Sequence, residues 1–298
     1  MTALVVEGVG WQALVEDTGR LGFADMGLGS AGFADRGSAE LANRLVANPP
    51  GTAVIEVLFG GLAVRAEGAA TVAVTGALCP LLLRRAGGAI RRPAMYEVVA
   101  LSDGDRLELG SPTAGLRSYL AVRGGVAVEA VLGSRSRDTL AELGPEPLVP
   151  GSVLPVGANA RGWPVVDAVP WPAWTAGGDT VLDAVLGPRD DWFEPASLAW
   201  LGSGAFEVSS EADRVGVRLV SERPLVRRLT HELPSEGAEL GSIQVPPDGH
   251  PILFLADHPV TGGYPIAAVL TMTAVDRAAQ LVPGQTVRFR LGPARARG

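Results

Sequence analysis

TVRFRLG, residues 286–292, sets Val287, Phe289 and Leu291 against Arg288 and Arg290. A period of two puts the apolar side chains on one face of a strand and the charges on the other. TVAVTG (71–76) and DRLELG (105–110) alternate in the same way. A tight turn followed by such a strand recurs in SDGDRLELG, VPGSVLPVG and VPGQTVRFR. That recurrence points to hairpin-edged sandwiches or barrels. Helices are few. SAELANRLVAN (38–48) has Ser38 as N-cap and Leu41 and Leu45 one turn apart, and stops at Pro49-Pro50. EPASLAWLG (194–202) and TAVDRAAQL (273–281) are two more short ones. The fold class expected is mainly β, with a few short covering helices.

The 298 residues favour two domains. Residues 157–179, GANARGWPVVDAVPWPAWTAGGD, have three tryptophans, many prolines and glycines and no periodicity. They read as a connector that packs on a surface. The expected division is a β-rich first part over 1–157, a Pro/Trp-rich linker over 158–179 and a second β domain over 180–298. With 47% apolar and 19% charged residues the chain is globular, and a net charge of −7 without a basic block argues against nucleic acid. The apolar run 71–83 is too short for a bilayer and contains Pro80. MTALVVEGVG lacks a cationic start, so a soluble, cytoplasmic protein is expected. The single cysteine, Cys79 in GALCPLLL, reads as a buried small hydrophobe. Three histidines leave few ligands for a metal, and no metal site is expected.

Every basic residue is arginine. These residues therefore hold no Walker A lysine, no Schiff-base lysine, no biotinylated lysine and no Ser-Ser-Lys amidase base. Nucleotide, biotin or amide chemistry would need machinery from another chain. GLGSAG (27–32) matches G-x-G-x-x-G, but charged and glycine-rich residues precede it where a dinucleotide fold needs a buried strand. Its glycines read as loop positions.

The second half carries the candidate chemistry. GSIQVPPDGHPILFLADHPVTGGYP (241–265) holds five prolines, two histidines and two aspartates in 25 residues. Pro247-Asp248-Gly249 is a strong turn sequence. ILFLAD (252–257) reads as a buried strand delivering Asp257 at its end. Gly262 and Gly263 could offer successive N–H groups to an anion, and Tyr264 adds a phenol. Two turns bracketing one strand would bring Gln244, Asp248, Asp257 and Tyr264 together. Arg214 is a carboxylate or phosphate donor, or else a structural ion pair. Glu236, beside Ser235 in HELPSEG, is a general base or a turn carboxylate. His250 and His258 each precede proline and are weaker acid–base candidates.

These segments resemble the family called allophanate hydrolase subunit 2, also known as KipA-like or as the 5-oxoprolinase C subunit. The resemblance is carried by residues 241–265 and, in order, by VEDTGRLGFADMGLGSAGFADRGSAELANRLVANP (15–49), IEVLFGG (55–61), VTGA (74–77), LRSYLAVRGGV (116–126), VLGSRSRDTL (131–140), GPRDDWF (187–193) and DRVGVRL (213–219). It implies cyclophilin-like β-barrel domains. It implies a partner, the KipI-like protein or allophanate hydrolase subunit 1 (the 5-oxoprolinase B subunit), the pair being similar to the carboxyltransferase domain of urea carboxylase. With a third, lactam-hydrolase component, such pairs serve ATP-dependent cleavage of 5-oxoproline, so ATP with Mg is implied for the complex and no cofactor is bound covalently to this chain. A carboxyltransferase acting on urea or a related amide, and a non-catalytic KipA-like antagonist of a kinase inhibitor, are the alternatives.

The site the resemblance implies has Asp257, Glu236, Tyr264 and Arg214 as catalytic groups. Ser235, Gln244, Asp248, Thr261, Gly262 and Gly263 would bind substrate. Asp17, Arg20, Ser30, Asp35 and Asn43 match motif positions in the first half, or form a polar loop network. Ile266 stands where many relatives carry a basic residue, and Arg214 or Arg218 is the candidate substitute.

Overall fold

A computed structural model describes residues 2–171 and 178–292. Two compact units emerge. Among the described residues the first is built from 2–20, 31–138 and 142–171, the second from 21–30, 139–141 and 178–292. The protein is mainly β, with 36% strand and 11% helix.

The first unit holds two antiparallel sheets. A five-stranded sheet runs Gln12–Glu16, Val54–Leu58, Ala114–Val122, Ala70–Leu78, Val98–Leu101. A six-stranded sheet runs Val153–Pro155, Ala3–Gly8, Ala63–Glu67, Arg106–Leu109, Leu81–Arg84, Ile90–Arg91. Alternation decides where each side chain goes. Leu120 and Val122 join Leu4, Val64 and Leu107 in one core, whereas Tyr119 and Ala121 face Ala39, Ala42 and Leu45 of the helix Arg36–Leu45. Close hairpin packing needs a glycine. At Gly60, with φ +73°, a Cβ would lie 2.1 Å from the carbonyl oxygen of Gly110.

The helix starts earlier than expected. Its N-cap is Asp35, whose side chain accepts from the Ser38 N–H, so Ser38 lies inside the first turn. An aspartate three positions ahead serves as well as a serine, and spacing alone does not separate them. Residues 158–171 are no free connector. The Val98 N–H donates to Asp167 O, the Val169 N–H to Tyr96 O, and Arg123 lies over the Trp163 ring at 4.4 Å, all within the first unit. Residues 172–177 of the expected linker lie outside the described residues. Cys79 is buried, its thiol pushed up in pKa by burial although a hydrogen bond with Ser118 works against it.

The second unit is a closed barrel in the order Thr180–Leu186, Ile266–Leu270, Ser242–Gln244, Ile252–Phe254, Gly216–Val220, Phe206–Val208, Thr286–Leu291. A parallel pairing of Thr180–Leu186 with Thr286–Leu291 closes it. TVRFRLG behaves as its pattern demands. Val287 and Phe289 are buried, while Arg288 Nε and Arg290 Nη2 reach out to Asp179 (2.6 Å) and Asp183 (2.8 Å). Helices Pro195–Ser203 and Met272–Ala278 add Leu201, Ala274, Val275 and Ala278 to the barrel's core, the second capped by Thr271. The β-barrel that the resemblance implied is the second unit, and the β-rich first unit has two separate sheets. No helix among the described residues is long and apolar enough to cross a membrane.

Candidate functional site

The proline- and glycine-rich stretch 241–265 folds into two short barrel strands and the loops around them. Ser242–Gln244 lies between two neighbours, with Gln244 opposite both Ile252 and Ile266. Pro246–Gly249 turns back through a Gly249 N–H to Pro246 O bond, and Asp248 Oδ1 accepts from the His250 N–H at 3.0 Å. Strand Ile252–Phe254 is three residues long, shorter than the expected 252–257. Leu255 still donates its N–H to Val215 O, next to the partner strand, and the chain then turns at Ala256-Asp257.

The two aspartates therefore sit beyond opposite ends of one strand and do not share partners. Asp257 is 1% exposed. Its Oδ2 accepts from Arg214 Nε (2.9 Å), the Thr139 N–H (2.9 Å) and Thr139 Oγ1 (2.6 Å), and its Oδ1 from Arg214 Nη2 (3.0 Å). This is a buried, fully hydrogen-bonded ion pair that also ties residues 139–141 to the barrel unit. Asp257 and Arg214 are thus spent on each other. Arg218 pairs with Glu211 on the surface at 3.4 Å. Neither arginine is placed to substitute for a cation at Ile266, which is buried in the barrel wall.

A second group gathers where Gln244, Ile266 and the ribbon Glu236–Gly237/Thr261–Gly262 meet. Register pairs Glu236 with Gly262. Gln244 Nε2 donates to Tyr264 O at 3.1 Å, and a Cβ on Gly262 would fall 2.4 Å from that nitrogen. Arg189, whose N–H donates to Ile266 O, grips Glu236 with Nε (2.9 Å) and Nη2. The hydrogen bond from Arg189, helped by its charge, holds the Glu236 carboxyl below its ordinary range against the opposing effect of burial. Glu236 is therefore a fixed carboxylate and a poor proton donor. Arg227 Cζ lies 5.6 Å from the centre of the Tyr264 ring, which is 44% exposed.

Ser235, Asp248, Thr261 and Gly263 are exposed around this group. Gly262 and Gly263 do not form the anion cradle their sequence invites. A nest needs a left-handed residue, and neither has positive φ, because Thr261–Gly262 is drawn into the ribbon. His258 is buried and stacked on Phe254 at 5.7 Å, with Nδ1 2.9 Å from Pro259 O. The structure thus brings Gln244, Gly262, Tyr264 and Glu236 together and takes Asp257 and Arg214 elsewhere. Arg189 and Arg227 were missed. Arg189 stands inside the motif GPRDDWF, whereas Arg227, in LVRRL, has no sequence signal.

In the first unit the motif residues form buried polar networks. Asp17 accepts from the Gly19 N–H, Ser134 Oγ, Ser136 Oγ and the Arg135 N–H at 2.6–2.8 Å. Arg20 Nη2 donates to Ser136 O at 2.5 Å. The Asp35 N–H donates to Tyr119 Oη at 2.8 Å, and Asn43 bridges Thr52 O and Asn48. Ser30, in the second unit, is half-buried. In GLGSAG, Gly27 and Gly32 have positive φ and the next helix begins only at Arg36, so no strand–turn–helix surrounds it.

The carboxyltransferase domain family, subdomains A and B, matches residues 26–291. The 5-oxoprolinase C subunit of Escherichia coli (strain K12) is 33% identical over 286 residues, covering 94% of this chain and 88% of that protein. The crystal structure of TTHA0988 aligns with a TM-score of 0.84 at 34% identity, covering 97% of this chain and 55% of the other. That of the K. lactis urea amidolyase aligns with a TM-score of 0.88 at 26% identity, over 96% of this chain and 18% of the other. This chain thus spans most of the first relative, about half of the second and under a fifth of the third.

Proposed function

The chain belongs to the carboxyltransferase domain family, subdomains A and B, and from that premise we propose that it is one component of an ATP-dependent lactam hydrolase of the 5-oxoprolinase type. The observation that carries this reading is its likeness to the 5-oxoprolinase C subunit over 88% of that protein. It works with a KipI-like partner and a third, lactam-hydrolase component on a small lactam or amide. Tyr264 and Gln244 face the substrate from one side, and the Tyr264 hydroxyl donates to the carbonyl oxygen as negative charge develops there. Glu236, held as a carboxylate by Arg189, accepts from the ring N–H and orients the lactam. Ser235, Asp248, Thr261 and Gly263 line the approach. Asp257 and Arg214 act at a distance by holding the barrel's loops in place.

Activation of the carbonyl by ATP with Mg would fall to the other components of the complex. The described residues of this chain do not fit a nucleotide site. The chain has no lysine, Gly262–Gly263 makes no phosphate nest, and no group of three or more His, Cys, Asp or Glu among the described residues is placed to hold a metal ion. No step is therefore assigned to nucleotide on this chain. A second reading is carboxyl transfer to urea or a related amide, favoured by the likeness to the K. lactis urea amidolyase.

The test is to co-express the chain with its KipI-like and lactam-hydrolase counterparts and measure ATP-dependent glutamate release from 5-oxoproline. Turnover that falls with Tyr264→Phe supports the lactam reading. Turnover of urea with bicarbonate and ATP, and none of 5-oxoproline, would replace it with the second.

A further inference from the structure

Arg227 enters the candidate site on a rigid backbone. The Leu225 N–H donates to Gly249 O (2.9 Å), the Glu194 N–H to Val226 O (3.1 Å) and the Arg228 N–H to Trp192 O (2.8 Å). Its side chain has no such closure. Nη2 donates to Val245 O, and Nε is buried with no hydrogen-bond partner. A guanidinium carries five N–H donors in a fixed fork. At the same end of the barrel Arg189 is neutralised by Glu236 through two bonds. Arg227 has no hydrogen-bonded carboxylate among the described residues; Asp248, whose charge acts on it, spends Oδ1 on the His250 N–H. Burial lowers the pKa of Arg227, and the neighbouring Tyr264 and Asp248 only partly offset it. Nε is sealed inside the fold, so a ligand would meet the guanidinium at Nη1, which no hydrogen bond among the described residues occupies. The Tyr264 ring, half open beside it, gives a flat apolar wall for a small planar ligand.

We propose that Arg227, with Tyr264, recognises a carboxylate on the substrate, and so selects lactams or amides bearing an acid group over neutral ones such as urea. This rests on the lactam-hydrolase reading above. A carboxylate matches the guanidinium fork and would be held there by charge-assisted hydrogen bonds. The arginine supplies from a neighbouring loop the positive charge that Ile266 does not.

The test compares two ligands on the co-expressed complex by calorimetry, 5-oxoproline and the neutral lactam 2-pyrrolidinone, for the wild type, Arg227→Met and Arg227→Lys. The wild type is expected to prefer 5-oxoproline by about tenfold or more. Arg227→Met should abolish that preference without weakening 2-pyrrolidinone, and Arg227→Lys, which keeps charge but not the fork, should retain part of it. If both variants keep the full preference, Arg227 is not the determinant, while the lactam reading stands. If the wild-type complex binds neither ligand and releases no glutamate, the lactam reading falls and this inference with it. Should Arg227→Met fail to fold, Arg227→Lys alone decides, since an undiminished preference there overturns the role of the fork.

Discussion

Asp257→Ala should destabilise the barrel unit strongly, so that its first readout is stability and not chemistry. Four hydrogen bonds converge on this carboxylate at 2.6–3.0 Å, two from Arg214 and two from Thr139. The Arg214 side chain is 3% exposed and that of Asp257 fully buried. Truncating one member of such a pair leaves a charge in a low-dielectric site, at a cost of about 3–5 kcal/mol. At about 2–4 °C per kcal/mol this is a drop in Tm of roughly 6–20 °C. Thr139 loses its acceptor in the same step, so residues 139–141 should become exposed to protease.

Thermal and urea unfolding of the isolated chain, followed by circular dichroism, would measure it. The double variant Arg214→Met/Asp257→Leu removes both charges and refills the space, and should regain much of the loss, because a buried pair replaced by apolar groups of similar volume is often neutral or better. The refuting result is Asp257→Ala melting within about 1 kcal/mol of wild type while turnover of the complex is lost, since ordinary surface changes stay inside that range. The carboxylate would then act on substrate, and the clamp would be incidental.

Two further outcomes follow from geometry. Gly262→Ala places a Cβ 2.4 Å from Gln244 Nε2 and displaces the buried amide from Tyr264 O; losing that bond should lower the melting point and cut turnover of the complex by about two- to tenfold, and unchanged turnover would remove Gln244 from the site. Asp105 is buried, which by itself would raise its pKa, but the hydrogen bonds from the Ser102 N–H, the Arg85 guanidinium and the Ala86 N–H outweigh burial and lower it. Its stabilisation is therefore complete above the ordinary aspartate value of about 3.9 and is lost as pH falls through the depressed one. The gap in urea midpoint between wild type and Asp105→Asn should be constant from neutral pH to about 4 and close below that; a gap unchanged at about pH 2 would refute the assignment.

Much of the β architecture is legible because its signal is local. TVRFRLG alternates apolar and charged residues, and the barrel buries Val287 and Phe289 while Arg288 and Arg290 find aspartates outside. The helix at 36–45 is legible in existence and not in its cap, since Asp35 and Ser38 both satisfy the local rule and only Asp35 receives the bond. The closure of the barrel by parallel pairing of Thr180–Leu186 with Thr286–Leu291 links segments about a hundred residues apart, and no local pattern announces it.

The site shows the same division more sharply. Asp248 and Asp257 are nine positions apart, and two turns about one strand read, in sequence, as converging on a point. A strand, however, carries its two ends apart by about 3.3 Å for each residue, so turns at opposite ends of Ile252–Phe254 face different neighbourhoods. What converges is fixed across strands: Gln244 lies opposite Ile252 and Ile266, Glu236 opposite Gly262, and Arg189 reaches Ile266 O from a third segment. Arg227 arrives the same way, through the pairing of Leu225 with Gly249 and of Arg227 with Phe193. A cation that completes a site in this way leaves no mark in the stretch it serves. That is why Ile266 looks like a missing charge when 241–265 is read alone, while Arg227 lies on a segment joined to that stretch through Leu225 and Gly249.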